Sequence, residues 1–580
     1  MNLQALKFDR ASALSLGRGL APNFYDCVIF IVVVAAFVLV THAAREMGEP
    51  LARLNMQPVT LDPHNLPEYA LRTTLRMFAA IIASLVFTFV VATLAAKSRK
   101  AELVIVPALD ILQSVPVLGF LTFTVILFMR IFPGSQLGAE CASIFAIFTS
   151  QAWNMTFSFY QSLRTVPSDL DEVCRHFRLS PWLRFWRLEV PFAAPGLIWN
   201  TMMSMSGGWF FVVASEAITV GDTTVKLPGI GSWLAIAIEE KNILAVAEAV
   251  GVMALVILAY DQLLFRPIVA WADKFRVEQI AAQRRPHSWV YDIVRRSRLL
   301  KRVFAPFERI AFQRKASAPR ERAVGLKLPA ALRRVGDVLW FVLVLAGAAY
   351  ALWLVVDYAR ATLGWSDVLT ALKLGTFTLV RVIVLIAIAT AVWVPIGVWI
   401  GLRPWAAELV QPFAQFLAAF PANVLFPIAV VAIVRFGLDP NIWLSPLMVL
   451  GTQWYILFNV IAGASAFPTD LREAATLYRL RSTQWWRHVI LPGIFPYYVT
   501  GALTASGGSW NAAIVAEVAS WGTTHLKAAG LGAYIAEATE KGDSPRVVLG
   551  IVVMSIFVVA VNRLLWRPLY RVSERRFRLN

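Results

Sequence analysis

Apolar and polar positions along the chain do not alternate; they come in blocks. Runs of roughly 20 apolar residues, the length a helix needs to cross ~30 Å of hydrocarbon, are divided by short polar stretches. In the first half the runs fall near Cys27–Ala43, Thr73–Ala96, Leu103–Ile131, Cys141–Tyr160, Ala193–Ala214 and Ile243–Phe265. In the second they fall near Val338–Val355, Phe377–Ile400, Leu409–Val434, Ile442–Ile461, Gly493–Val515 and Val547–Leu565. None of the short alternating segments of a membrane β-barrel is evident. The pattern predicts an all-α polytopic membrane protein with about twelve transmembrane helices. Pro107 and Pro116 fall inside the third run, where a kinked or broken helix is tolerated if its freed backbone lines a cavity.

The polar stretches set the topology. Lys97-Ser98-Arg99-Lys100, the region 266–335 and the tail 567–580 are strongly basic, while the loop Arg45–Glu68 is mixed in charge. Basic residues mark the inner face, so both termini are expected in the cytoplasm, with membrane lipid as a partner. The apolar run Val28–Thr41 follows Lys7, Arg10 and Arg18 as a signal peptide's would; because a matching run stands mid-chain, it is read as an uncleaved first span. Within 266–335, Val290, Ile293, Val294, Val303, Phe304, Phe307 and Ile310 recur at helical spacing among arginines. This is expected to be an amphipathic helix on the anionic inner leaflet; a solvated basic linker is the alternative.

Composition agrees. Of 580 residues, 58% are hydrophobic and only 16% charged. The net charge of +18 would suit nucleic acid, but its confinement to alternate loops argues against it. Cys27, Cys141 and Cys174 fit neither a disulfide nor a metal spacing, and the six histidines are dispersed. There is no phosphate-binding GxxxxGK[ST] sequence.

The chain repeats itself. Residues 301 positions apart match: Trp153 and Trp454, Gly207 and Gly508, Trp209 and Trp510, Glu216 and Glu517, Gly229 and Gly530, Gly231 and Gly532. Upstream the offset is 305, pairing Arg76 with Arg381, Pro116 with Pro421, and Arg130 with Arg435. Each half holds an even number of spans, so the halves share one orientation about an axis along the membrane normal. The expected organisation is a first unit over 1–265, a basic linker over 266–335, a second unit over 336–566, and a tail over 567–580.

One polar loop recurs on the basic side of each half. It runs from Asp171-Glu172 to Val190-Pro191, and again from Glu473-Ala474-Ala475 to Leu491-Pro492. Arginines and tryptophans give it a charged face with aromatic anchors at the interface. The proline is expected to start the next span. These paired loops resemble the EAA loop of the membrane permeases of bacterial ABC importers, which reads Glu-Ala-Ala, then a glycine six residues after the Glu, then a hydrophobic-x-Pro ending. Arg178 and Arg479 stand at the glycine position, and Val173-Cys174 replaces Ala-Ala in the first copy. The resemblance covers nearly the whole chain as two fused units. Ala516-Glu517 with Gly530-Leu531-Gly532, and Ser215-Glu216 with Gly229-Ile230-Gly231, resemble the nitrate/sulfonate/taurine branch.

The resemblance implies a solute conduit that is not an enzyme. It implies two ATPase subunits docked on the two loops, with ATP and Mg on those subunits and no cofactor on this chain. A periplasmic or lipid-anchored substrate-binding protein is a further implied partner, and a small anion such as nitrate, sulfonate, taurine or bicarbonate the implied solute. Coupling would rest on Asp171, Glu172, Arg178, Pro191, Glu473, Ala474, Ala475, Arg479 and Pro492. The two arginines at the glycine position would call for a specialised ATPase.

Candidate pathway residues have two readings each. Glu216 and Glu517 either brace an outer gate or cap the Gly-rich loop, with Arg76 and Arg381 as ion-pair partners. Arg130 and Arg435 either form a cationic pair that receives an anion or complement helix ends. Asp110 either lines the pathway or pairs with a base such as Arg99; its counterpart is Gln415. Trp153 and Trp454, with Gln151, Asn154 and Gln453, are lining candidates. The competing function is an ion-gradient-driven secondary transporter, which the scarcity of paired mid-membrane acids disfavours.

Overall fold

In the computed structural model, residues 24–47, 50, 59–113, 115–177, 179–220, 223–275, 288–297, 330–360, 362–465, 467 and 469–576 are described. Each expected span is helical. In chain order the first copy holds α1 (Phe24–Met47), α2 (Leu66–Lys97), α3 (Arg99–Leu112), α4 (Val117–Ile131), α5 (Gln136–Arg164), α6 (Ser168–His176), α7 (Pro181–Arg184) and α8 (Val190–Glu216). Strands β1 (Ala217–Val220) and β2 (Thr223–Lys226) follow, then α9 (Ile230–Glu239), α10 (Ile243–Tyr260) and α11 (Arg266–Ala272). A short helix, α12 (Trp289–Arg296), leads to the second copy. There come α13 (Ala330–Arg360), α14 (Trp365–Gly401), α15 (Pro404–Ala419), α16 (Phe426–Phe436), α17 (Gln453–Ser465), α18 (Thr469–Leu477), α19 (Ser482–Trp485) and α20 (Leu491–Ala516). Strands β3 (Val518–Trp521) and β4 (Thr524–Lys527) precede α21 (Leu531–Glu540), α22 (Ser544–Val561) and α23 (Arg567–Arg576).

Among the described residues, six helices are long and apolar enough to cross a membrane, or up to eight counting two bent pairs. The protein is an all-α polytopic membrane protein. Its glycine-bearing loops hold a detail the sequence reading lacked: Ala217–Val220 pairs antiparallel with Thr223–Lys226, and Val518–Trp521 with Thr524–Lys527, as two small hairpins. The glycine-bearing loops are thus partly strand, built on β-branched residues such as Ile218 and Val225.

The chain packs into two compact units. The larger comprises Met47–Arg164, Trp199–Ala259 and Leu328–Asn580. Its core draws on both copies: Val117, Leu121 and Phe211 from the first, Val382, Val430, Ile456, Trp510 and Ile514 from the second. The third span of each copy breaks at its proline. Pro116 separates α3 from α4, and α15 bends by 78° into the helix that begins at Ala422. By contrast, no described residue in the apolar window of α13 is buried, so this helix lies outside the core.

The smaller unit comprises Met1–Glu46, Thr165–Ile198 and Tyr260–Lys327. In it, the Asp26 carboxylate accepts from Ser297 Oγ at 2.7 Å and Tyr25 OH from Arg296 at 3.0 Å. Val290, Ile293 and Val294 lie on α12; Val303, Phe304, Phe307 and Ile310 lie outside the described residues.

Two prolines require a correction: Pro191 and Pro492 do not start a span. Pro267 and Pro568, just beyond the sixth apolar run of each copy, share their setting. Each follows a π-helical turn inside a continuing helix: Phe185–Glu189, Trp486–Ile490, Asp261–Phe265 and Asn562–Trp566. In each, the residue before the proline donates to the carbonyl five back, as Val190 does to Phe185. A proline cannot donate and its ring crowds the carbonyl four residues earlier; widening one turn gives the ring room and lets the helix continue.

Candidate functional site

Three places gather the candidate residues. The first is a buried knot beneath each hairpin. At the end of α8, Glu216 Oε1 accepts from Arg76 Nη1 at 2.7 Å, and Oε2 accepts from the Gly231 amide at 2.6 Å. Its backbone carbonyl accepts from Leu227 and from Ser232 Oγ. Thr73 Oγ1 accepts from the Ile230 amide at 3.0 Å. The second copy repeats this. Glu517 accepts from Arg381 at 3.1 Å, Thr378 Oγ1 at 2.8 Å and the Ala533 amide at 3.1 Å, while Thr378 Oγ1 accepts from Leu531. Each carboxylate thus ends one long helix and holds the start of the next, where the aligned amides favour an anion. A side chain at Gly229 or Gly530 would strike the carboxylate, which is why both positions are glycine. The geometry fits the capping reading of Glu216 and Glu517, and their pairing with Arg76 and Arg381.

Glu140 was not among the sequence candidates. It grips Arg76 bidentately, Nε to Oε2 at 2.5 Å and Nη2 to Oε1 at 2.6 Å, and all three charged side chains are fully buried. An acid at the very edge of an apolar run was the available signal. The register position in the second copy is Asn441, whose Oδ1 accepts from the Ala529 amide instead.

The second place is a cavity of about 450 Å³ in the larger unit. Both copies wall it: Gln113, Asn154, Asn200 and Ser204 from the first, Thr452, Thr500, Thr504 and Asn511 from the second, with Trp153 and Trp199. Among its described lining residues none is charged. Of the pathway candidates, Trp153 and Asn154 stand in this wall. The other pathway candidates do not. Gln151 is buried against Met77, Gln453 accepts from Trp393, and Trp454 packs on Trp393 with centroids 5.0 Å apart. Gln415 lies on α15 outside the wall; Arg130 and Arg435 are exposed near the ends of α4 and α16. Asp110 lies on α3, its side chain outside the described residues. The small polar residues of the wall were missed. Thr500, Thr504 and Asn511 follow i, i+4, i+11 spacing, one stripe of a helix, and that was the readable signal.

The third place is the polar loop of each copy. In the first, Asp171 ion-pairs with Arg175 at 2.7 Å and Arg184 at 2.6 Å, and Arg184 reaches Glu189 at 3.1 Å. Glu172 is exposed; Cys174 is buried, and burial holds its thiol above the ordinary range against the pull of Arg184. Arg178 lies outside the described residues. In the second loop Glu473 is exposed, Ala474 half-buried and Ala475 buried. Arg479 takes φ +52°, the left-handed conformation that glycine favours. It closes α18: Leu480 donates to Ala475 and Arg479 to Thr476. Leu179 donates to Cys174 in the same way in the first loop. Arginine at the glycine position thus leaves the second loop's backbone on the course a glycine would give it.

Each loop helix also exposes an apolar stripe at the same register positions. On α6 these are Leu170, Val173 and, just beyond its end, Phe177, the last 70% exposed. On α18 they are Leu471, Ala474 and, just beyond its end, Tyr478, 80% exposed.

A duplicated, multi-pass helical unit around an uncharged cavity is the layout of a membrane transport component. The chain belongs to the family described as binding-protein-dependent transport system inner membrane component, whose model matches residues 84–265 and 393–579, more than half of the chain. It is similar to the bicarbonate transport system permease protein of Synechococcus elongatus, 28% identical over 33% of this chain and 64% of that one. It is also similar to the nitrate import permease protein of Leptolyngbya laminosa, 27% identical over 32% of this chain and 63% of that one. A probable ABC transporter permease protein of Brucella melitensis is 25% identical over 33% of this chain and 75% of its own length. The matches to the bicarbonate and nitrate permeases thus span just under two thirds of those relatives' length.

Proposed function

We propose that this chain is a permease of an ATP-driven importer, with both permease units fused as 1–265 and 336–566 through the linker 266–335 and followed by the tail 567–580. The basic linker and termini lie in the cytoplasm and the hairpins outside. Two separate ATPase subunits carry ATP and Mg and dock on α6 and α18. A substrate-binding protein delivers a small solute to the outer face. The names of the bicarbonate and nitrate relatives support a small anion as that solute.

The observation that carries this reading is the matched exposed stripe. Large apolar side chains standing out beside charged residues on a polar loop mark a docking surface, and two copies in one register offer two equivalent sockets. The closed ion-pair lattice of Asp171, Arg175 and Arg184 and the capped end of α18 make each socket stiff enough to carry force. Replacing Leu471 and Tyr478 together by Asp should lower co-purification of the ATPase at least tenfold and abolish ATP-driven uptake. Full ATPase binding and uptake in that variant would refute the docking, and uptake driven by an ion gradient without any ATPase would refute the importer.

A further inference from the structure

The cavity is open at one end and shut at the other. Exposure falls along both long helices that wall it. Trp199 on α8 and Thr500 on α20 are exposed, whereas Phe211 and Trp510, about three helical turns further on, are 8% and 1% exposed. The open end therefore faces the polar loops that precede these helices, and the shut end faces the knots. At the shut end, the broken third span of each copy meets the long helix of the other copy. A break frees backbone groups that the helix itself does not satisfy. Here the opposite copy supplies the partners. Asn511 Oδ1 on α20 accepts from the amide of Val117, the first residue of α4, at 2.7 Å. Ser206 Oγ on α8 donates to the Ala418 carbonyl in the last turn of α15. Asn423, in the turn Ala422–Leu425, donates from Nδ2 to the Phe210 carbonyl of α8 at 3.2 Å. All six residues lie in the larger unit.

We propose that these three bonds are a latch: Asn511, Ser206 and Asn423 hold the hairpin-side gate of the cavity shut while its other end stands open toward the polar loops. The proposal rests on the permease reading and adds the residues that set its gate. A solute entering at the hairpin side has to pass between the copies, so a seam between them parts in each cycle. Bonds from side chain to backbone suit a seam of that kind. Each is exchanged for a bond to water as the seam parts, at a modest net cost. While the seam is shut, each satisfies a backbone group that would otherwise be stranded in the wall. The latch is not symmetric. The register positions of Asn511, Ser206 and Asn423 are Phe210, Gly507 and Leu118, none with a polar side chain. Each seam is therefore fastened by bonds of its own, which two identical chains could not arrange.

The test uses the full chain with its ATPase in right-side-out membrane vesicles. Cys27, Cys141 and Cys174 are replaced by Ser, and Thr504→Cys in the cavity wall reports access to a membrane-impermeant maleimide added outside. With the latch intact, labelling should be slow, and much faster in inside-out vesicles, where the open end meets the reagent. Asn511→Leu removes an acceptor and should speed labelling from outside about fivefold, the factor that loss of about 1 kcal/mol gives. Val117→Pro removes the donor of the same bond at the first position of a helix, where proline fits, and should act alike. The two together should do no more than either alone, because they cut one bond. If Val117→Pro fails to fold, Ser206→Ala and Asn423→Leu carry the test, since they cut separate bonds of the other seam and should each speed labelling. Labelling unchanged in all the folded variants, or full additivity of Asn511→Leu with Val117→Pro, would overturn the latch. So would a reporter labelled equally fast from both sides. Absence of any ATPase on the wild-type chain would instead sink the permease reading.

Discussion

The knots at Arg76 and Arg381 do one task with different chemistry. Both fasten a hairpin and the following helix to the end of a long span through a carboxylate, a threonine and a glycine. Arg76 is fully buried and divided between two carboxylates, whereas Arg381 is 14% exposed and shares its Nη1 between Glu517 and the Ala529 carbonyl. The second knot shows that one carboxylate suffices to hold the junction. The additional Glu140 therefore serves the first copy alone and gives Arg76 a second carboxylate that Arg381 lacks. A permease assembled from two identical chains could not differ between its copies in this way, and a fused chain can.

The comparison is tested hardest by removing the cations. Arg76→Met strands two fully buried carboxylates, and breaking a buried ionic cluster costs about 3–5 kcal/mol. Arg381→Met opens a partly solvated pair, for which about 1–2 kcal/mol is expected. Thermal unfolding of the purified chain in detergent should therefore rank Arg76→Met well below Arg381→Met. Equal losses would erase the distinction between the knots.

A finer test converts one knot toward the other. Glu140→Asn gives the first copy the residue of the second, leaving Arg76 on Glu216 alone. About 1.5–3 kcal/mol of stability should be lost with the charge-assisted bonds. The reverse change, Asn441→Glu, places a carboxylate at an exposed position and should add at most ~1 kcal/mol. The same melting series reads both. A neutral Glu140→Asn would mean that the bidentate contact contributes nothing net.

These contrasts explain which features could be read from the sequence. The spans stood out because a lipid-facing helix is apolar all round, and apolar blocks need no periodicity to be seen. Arg76, Glu216 and Trp153 stood out because their partners recur at fixed offsets. That method finds only what both copies keep. Glu140 answers to Asn441, Ser204 to Ala505 and Asn511 to Phe210, so the asymmetric residues that distinguish the knots and furnish the cavity were invisible to it. The π turns were hidden for another reason. A proline at the edge of an apolar run looks like a helix start, and only the backbone upstream reveals that the helix is already under way. The conformation of Arg479 was hidden in the same sense, since an arginine does not announce the left-handed backbone that a glycine at that position would.

That last point yields the smallest effect and a clean one. A residue other than glycine in the left-handed region carries about 1 kcal/mol of strain. Arg479→Gly relieves it while giving the unfolded chain more freedom, and the two terms oppose each other. The net change in melting should thus stay within ~1 kcal/mol and the fold of the loop should be unaltered. Arg479→Val should behave otherwise, because a β-branched side chain tolerates that backbone poorly; unravelling of the end of α18 should follow, with weaker binding of the ATPase. If the Gly variant loses ATPase binding while its melting is unchanged, the exposed arginine side chain itself is part of the docking surface. The second socket would then differ from the first in charge as well as in outline, since Asp171, at the head of the first loop's lattice, has Arg472 as its register partner.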